Sequence, residues 1–236
     1  MIQEAKQLIN EAKNIYLVSS QEPEILTSAL ALFYTLKESD KNVNLIMDSL
    51  PENLKFLSPT LDFISYPKNF VISVPNKIAK ISQLYYENND EALKIHLTLE
   101  NGIIRKEDIS FYYSEPKPDL IITIGVKDYQ KELSGKLNPY GFVLDSPILD
   151  IDNGQDNKKF GKINLIEEKS ISEIIFSLIN GGNAVRERAA VCLLTGLMIH
   201  TDNFKNKITA EIFEMAGHLM KKGADFQEIT ENLKPK

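Results

Sequence analysis

The stretch Ile148–Leu165, ILDIDNGQDNKKFGKINL, begins as a buried strand, runs out into a polar loop and picks up a second strand. A segment of this shape presents chemistry at a strand's end, yet Asp152-Asn153-Gly154 supplies only one strong acid or ligand there. The neighbouring segments set the fold class. Upstream, DLIITIG at 119–125 reads as a strand and residues 127–136 as a helix, leading to the strand PILDID at 147–152. At the start of the chain, Ile2, Ala5, Leu8, Ile9 and Ala12 share one side at helical spacing, and IYLVS at 15–19 is an apolar strand. After Pro23, the residues Ile25, Ala29, Leu32, Phe33 and Leu36 define a helical stripe ending near Lys37, and NVNLIM at 42–47 is the next strand. Strand, helix and strand joined by short connections predict a three-layer α/β domain, a parallel sheet flanked by helices.

The middle of the chain changes character. FVISVP at 70–75 is a strand, and KISQLYYE and ALKIHLTL flank a turn with Asn88-Asn89-Asp90 at its tip, which is a hairpin signal. Leu93, Ile95, Leu97 and Leu99 alternate with Lys94, His96 and Thr98, which predicts one buried and one wet face. Residues 70–115 are thus expected to form a small antiparallel β insertion within a single domain over 1–236, closed off by Pro116 and Pro118. From Ser170 the chain turns helical. Ile171, Ile174, Ile175, Leu178 and Ile179 make one stripe stopped by Gly181-Gly182, AAVCLLTGLMI makes a buried helix, and an amphipathic helix at 207–222 precedes a short one capped by Asp225.

Composition narrows the function classes. Charged residues make up 25% and hydrophobic ones 43% of the 236 residues, as in an ordinary folded domain. The net charge of −6 gives no global attraction to nucleic acid or anionic lipid. The first residues carry acids without a continuous apolar run, unlike a signal or transit peptide, and no run is long enough to span a membrane. The single cysteine, Cys192, lies in an apolar setting and reads as a buried small hydrophobe. A cytoplasmic location is expected.

The quoted stretch resembles the DHH phosphoesterase family, whose members include nanoRNases, single-strand exonucleases and cyclic-dinucleotide phosphodiesterases. The family pattern N-I-D-H-H-P-x-N-x-x-F-G-x-I-N-L is met in register by Ile151, Asp152, Asn157, Phe160, Gly161, Ile163, Asn164 and Leu165. SSQEPEILTSALALFYTLKESDKNV is similar to the family's first motif, with Ser28, Leu30, Ala31 and Leu32 in place; DLIITIGVKD is similar to the second, and TGLMIHTDNF to the late T-G-I-x-x-D-T-G-x-F. The ending HLMKKGADFQEITENL looks like the helix pair that closes this domain. The resemblance implies two divalent ions, usually manganese, held by His and Asp at strand ends to clamp phosphate and activate water.

Carried over one by one, those ligands are mostly absent. The first-motif His falls on Gln21, and its two Asp positions collapse into Glu24 and a short deletion. The second-motif Asp falls on Gly125. In the signature triplet Asp152 survives, while Asn153 and Gly154 stand in place of histidines, and the late Asp falls on His200. The backbone-supporting Phe160, Gly161 and Asn164 are kept. The sequence also ends at Lys236, where hydrolytic relatives continue into a C-terminal substrate-binding domain. Gly181-Gly182 reads as a helix stop rather than as a substitute for that domain's glycine motif.

Simpler readings accompany each remaining candidate. Asp152 suits loop capping, and His200 a helix-end position. His96 and His218 suit solvated positions. Arg186 and Arg188 suit an exposed helix start rather than phosphate binding, and Ser28 suits close packing. Tyr85, Tyr86, Tyr112 and Tyr113 could stack bases, but no basic groove surrounds them. The expected function is therefore a catalytically degenerate DHH phosphoesterase-like protein, a binding or assembly module without catalytic residues, metal or other cofactor. Its expected partner is a protein or a second copy of the chain, with nucleic acid or nucleotide not favoured and a membrane excluded. One alternative is a diverged phosphoesterase acting on short oligonucleotides or nucleotides through Mn2+ held by Glu24, Asp152 and His200. Another is a nucleotide-binding sensor.

Overall fold

The computed structural model describes residues 1–60, 69–114, 116–133, 146–179 and 185–234. Contacts divide the chain into two compact units, Met1–Ser65 with Lys117–Lys236, and Tyr66–Pro116.

The larger unit is built on five parallel strands: β1 (Asn14–Ser19), β2 (Asn42–Ile46), β7 (Leu120–Ile124), β8 (Ile148–Asp152) and β9 (Ile163–Ile166), in the order β2-β1-β7-β8-β9. Ile15 and Leu17 on β1, Ile122 and Ile124 on β7, and Leu149 and Ile151 on β8 all turn to one apolar core. Tyr16, Val18 and Ile121 turn to a smaller cluster on the other face with Val126 and Leu133. A parallel sheet buried on both faces needs such unbroken apolar runs.

Helix α1 (Ile2–Glu11) precedes β1, and α2 (Pro23–Lys37) crosses from β1 to β2. Every residue of α2 from Ile25 to Leu36 is buried. The stripe read from the sequence therefore understates this helix. Its second face is covered by α5 (Glu187–His200), against which it packs more extensively than against the sheet. The close approach depends on Gly196: a Cβ there would lie 2.2 Å from Ser172 Oγ and 2.7 Å from Thr27 Oγ1. Ser28 and Ser172 share a buried hydrogen bond of 2.9 Å at the same junction, which explains small side chains at these positions.

Around β7 and β8, α3 spans only Tyr129–Glu132, started by Asp128, which accepts from the Gln130 and Lys131 amides. Residues 134–136 of the longer helix expected here, and Gly181-Gly182, lie outside the described residues. Helix α4 (Ile171–Leu178) opens with a capping box between Ser170 and Glu173. Helix α6 (Ala210–Lys221) begins after the cap Thr209, later than the expected Lys207, and α7 (Phe226–Leu233) follows the cap Asp225. Cys192 is buried, and burial pushes its thiol pKa up. His218 is half-buried rather than fully solvated: its ring meets Phe176 edge-on at 5.6 Å and its Nε2 is buried. Arg186 reaches Glu38 at 3.7 Å and Arg188 lies over the Tyr34 ring. Among the described residues no helix is long and apolar enough to cross a membrane.

The smaller unit holds two antiparallel pairs, β3 (Asn69–Ser73) with β6 (Ser110–Ser114), and the hairpin β4 (Ala79–Asn88) with β5 (Leu93–Gly102). The expected buried face of the hairpin is a correction: Leu93 is 61% and Ile95 45% exposed. A two-stranded ribbon has no second layer of its own to cover an apolar face.

Gly196→Ala tests the α2–α5 approach. The gain in helix propensity is about 1 kcal/mol, whereas forced overpacking costs about 1–3 kcal/mol and breaks the Ser28–Ser172 contact. The variant is expected to lower the urea midpoint; an unchanged or raised midpoint would show that the junction has slack.

Candidate functional site

The strand order reverses between β1 and β7, so the C-terminal ends of β1, β7 and β8 and the first turn of α2 frame the crevice where open α/β sheets place ligands. Of the positions at which ligands were expected, Gly125 follows β7, Asp152, Asn153 and Gly154 lie at and after the end of β8, Gln21 and Glu24 lie around the start of α2, and His200 ends α5.

Asp152 ends β8 and is 1% exposed. Its Oδ2 accepts from Asn157 Nδ2 at 2.9 Å and its Oδ1 from the Asn153 amide at 2.8 Å. Asn157 Nδ2 also donates to the Val126 carbonyl at 3.0 Å, which ties the loop after β8 to that after β7. Asn153 turns its amide the other way, donating from Nδ2 to Lys169 O at 2.9 Å. Gly161 and Asn164 close a reciprocal turn, with the Gly161 amide donating to Asn164 Oδ1 and Asn164 Nδ2 to Gly161 O, both at 2.9 Å. Phe160 packs on Tyr129 at 5.7 Å between ring centroids.

Glu24 and His200 meet. Glu24 sits in the first turn of α2, where Oε1 accepts from the Ile171 amide at 2.8 Å and Oε2 pairs with His200 Nδ1 at 2.8 Å. The two side chains are only 18% and 15% exposed. One carboxylate thus fastens α2 to the start of α4 and the end of α5. Gln21 is exposed.

The Gly125 position is closed by a core side chain, whereas that of Gly154 is bordered by exposed ones. Gly125 has φ +65°, and a Cβ there would lie 2.2 Å from Ile25 Cδ1 and 3.0 Å from Ser20 Oγ. An added side chain would meet both a left-handed backbone and a filled space. A Cβ on Gly154 would lie 2.8 Å from Asp156 Oδ1 and 3.5 Å from Lys127 Cε. Lys127 Nζ reaches Asp156 Oδ2 at 3.2 Å. That contact raises the Lys127 pKa, with the nearby Asp152 and Glu22 charges adding, and lowers that of Asp156.

No family model and no curated protein matches the chain. Among solved structures, an exopolyphosphatase-related protein from Bacteroides fragilis superposes with a TM-score of 0.67 at 18% identity, over 98% of this chain and 59% of that one. The fold is DHH-like. The chain spans little more than half of that protein's length, 59%. The exonuclease RecJ bound to manganese is a more distant likeness, with a TM-score of 0.44 at 12% identity over 93% of this chain and 47% of that one.

Two-metal chemistry at a DHH-like strand edge requires several carboxylate and imidazole groups to converge. Here Glu24 and His200 come together without Asp152, and Gly125 and Gly154 add no donors. Among the described residues no group of three or more His, Cys, Asp or Glu side chains is placed to hold a metal ion. The residues present do not fit a pair of divalent ions.

Asp150 is the residue that the sequence reading passed over. It is fully buried on β8, two residues before Asp152, with Oδ1 accepting from Thr123 Oγ1 at 2.8 Å and Oδ2 unpaired. Burial, with the Asp152 charge adding and the Thr123 hydrogen bond opposing, pushes its pKa from 3.8 up to about 6. The signal was available: acids at i and i+2 of a strand leave from the same face.

A raised carboxyl pKa means that the folded chain holds the proton more tightly than the unfolded one, so stability from this group is greatest below the unfolded value and is lost as pH rises through about 6. Asp150→Asn should therefore stabilise the protein at pH 8 by on the order of 1–3 kcal/mol and change it much less near pH 4. Urea titrations at both pH values check this, and an effect equal at the two would refute it.

Proposed function

We propose that this chain is a catalytically degenerate, cytoplasmic DHH phosphoesterase-like protein that acts as a binding or assembly module without hydrolytic activity. The observation that carries the reading is at Gly125, whose own backbone is left-handed and where Ile25 fills the place of a ligand side chain. Support comes from the two acids that fall on expected ligand positions, both already engaged: Asp152 by Asn157 and the Asn153 amide, Glu24 by His200 and the Ile171 amide. Like charges crowded without a metal repel, so replacing most of a ligand set by neutral residues favours a metal-free fold.

A second reading, a diverged manganese-dependent phosphoesterase of nanoRNase type, is favoured by the Glu24–His200 pair alone, two members of the reduced site named from the sequence. The two readings separate on one set of measurements. Purified protein is expected to show no manganese-stimulated hydrolysis of dinucleotides, short oligonucleotides or nucleoside phosphates, and no rise in melting temperature with millimolar Mn2+, since a bound ion would stabilise the native state. Manganese-stimulated turnover that Glu24→Gln abolishes would overturn the first reading in favour of the second. A nucleotide that raises the melting temperature without being hydrolysed would instead identify a sensor.

A further inference from the structure

The β4–β5 ribbon carries a bare apolar face. Its register sets Leu84 opposite Leu97 and Tyr86 opposite Ile95, with Leu93 at the end, so these side chains leave from one side. The irregularity between Lys80 and Gln83 resets the alternation and pairs Ile81 with Leu99, which brings Ile81 to that side although it stands three residues from Leu84. Leu84 is 66%, Tyr86 69%, Leu93 61% and Ile95 45% exposed. The reverse side is polar, with Gln83 opposite Thr98 and the Tyr85 ring stacked on His96 at 4.5 Å. Among the described residues no extensive packing joins this ribbon to the β3–β6 pair, and an uncovered two-stranded ribbon is marginal in water.

Area and charge identify what covers it. The four most exposed side chains present roughly 500 Å², at the top of what a monomer ordinarily leaves bare. Two such faces in contact remove about 1,000 Å², the lower bound for a specific interface. Residues 66–116 carry six basic and seven acidic side chains, near neutrality in a chain of net charge −6. An ion pair within the ribbon, Lys80–Glu100 at 2.7 Å, balances charge locally. Two copies can therefore meet here without net repulsion, while a polyanion finds no positive groove.

We propose that the β4–β5 ribbon is a homodimerisation surface, on which a second copy of this chain lays its own ribbon face to face about a two-fold axis. Such a contact is self-complementary and stacks two ribbons about 10 Å apart. It is independent of the reading given above, because a hydrolytically active chain would leave it intact. The test is sedimentation equilibrium of the full chain from low micromolar to several hundred micromolar. The mass is expected to rise from one chain to two, and Leu84→Glu and Leu84→Lys should each weaken association at least about tenfold. An equimolar mixture of the two variants should recover association, which also shows that both are folded. A chain that stays monomeric over the whole range overturns the proposal, as does a dimer that neither charged variant weakens.

Discussion

Parallel pairing of β1 with β2 on one side and β7 on the other is the constraint from which the rest of the larger unit follows. Strands that all run one way collect their C-terminal ends at one edge, and each return crossing needs a long connection, usually a helix laid over a face. The crossing after β1 is α2, and the reversal of order at β1 and β7 opens its first turn onto that edge. A sheet covered in this way has no wet face, so α2 lies between the sheet and α5 and is itself buried all round. Small groups at Ser28, Ser172 and Gly196 are the steric condition for this third layer.

The acids at the strand edge are handled by three different devices. Glu24 is satisfied by a backbone amide and an imidazole, and in doing so joins three helices. Asp152 is satisfied by an amide side chain and a local amide, and its role is to shape two loops. Asp150, with one hydroxyl donor and an unpaired second oxygen, has its pKa pushed up to about 6 by burial, so it takes up a proton only in mildly acid solution. Hydrogen bonding by amides, a ring and a hydroxyl is local and directional, whereas a divalent ion would draw the same groups to a common point.

The sheet strands and most helices were legible because their apolar residues repeat at two or at about three and a half positions. β7 and β8 read as short apolar runs, and Asp225 announced its helix as a cap. The depth of α2 was not legible, since one stripe looks alike whether the opposite face meets water or another helix. The hairpin misled for the reverse reason: alternation along β5 specifies an apolar side but not what covers it. At the site, the sequence named the positions but not their surroundings. That Ile25 fills the space at Gly125 and Lys127 approaches Gly154 depends on segments distant in the chain.

The geometry at Gly125 also couples two distant positions. A carboxylate placed at residue 125 alone would meet Ile25 and an unfavourable backbone angle, so that single substitution is destabilising. Trimming Ile25 alone would open a void in a packed core. Each change is harmful without the other, so the two positions tolerate substitution only together, and the first turn of α2 and the end of β7 constrain one another although a hundred residues separate them.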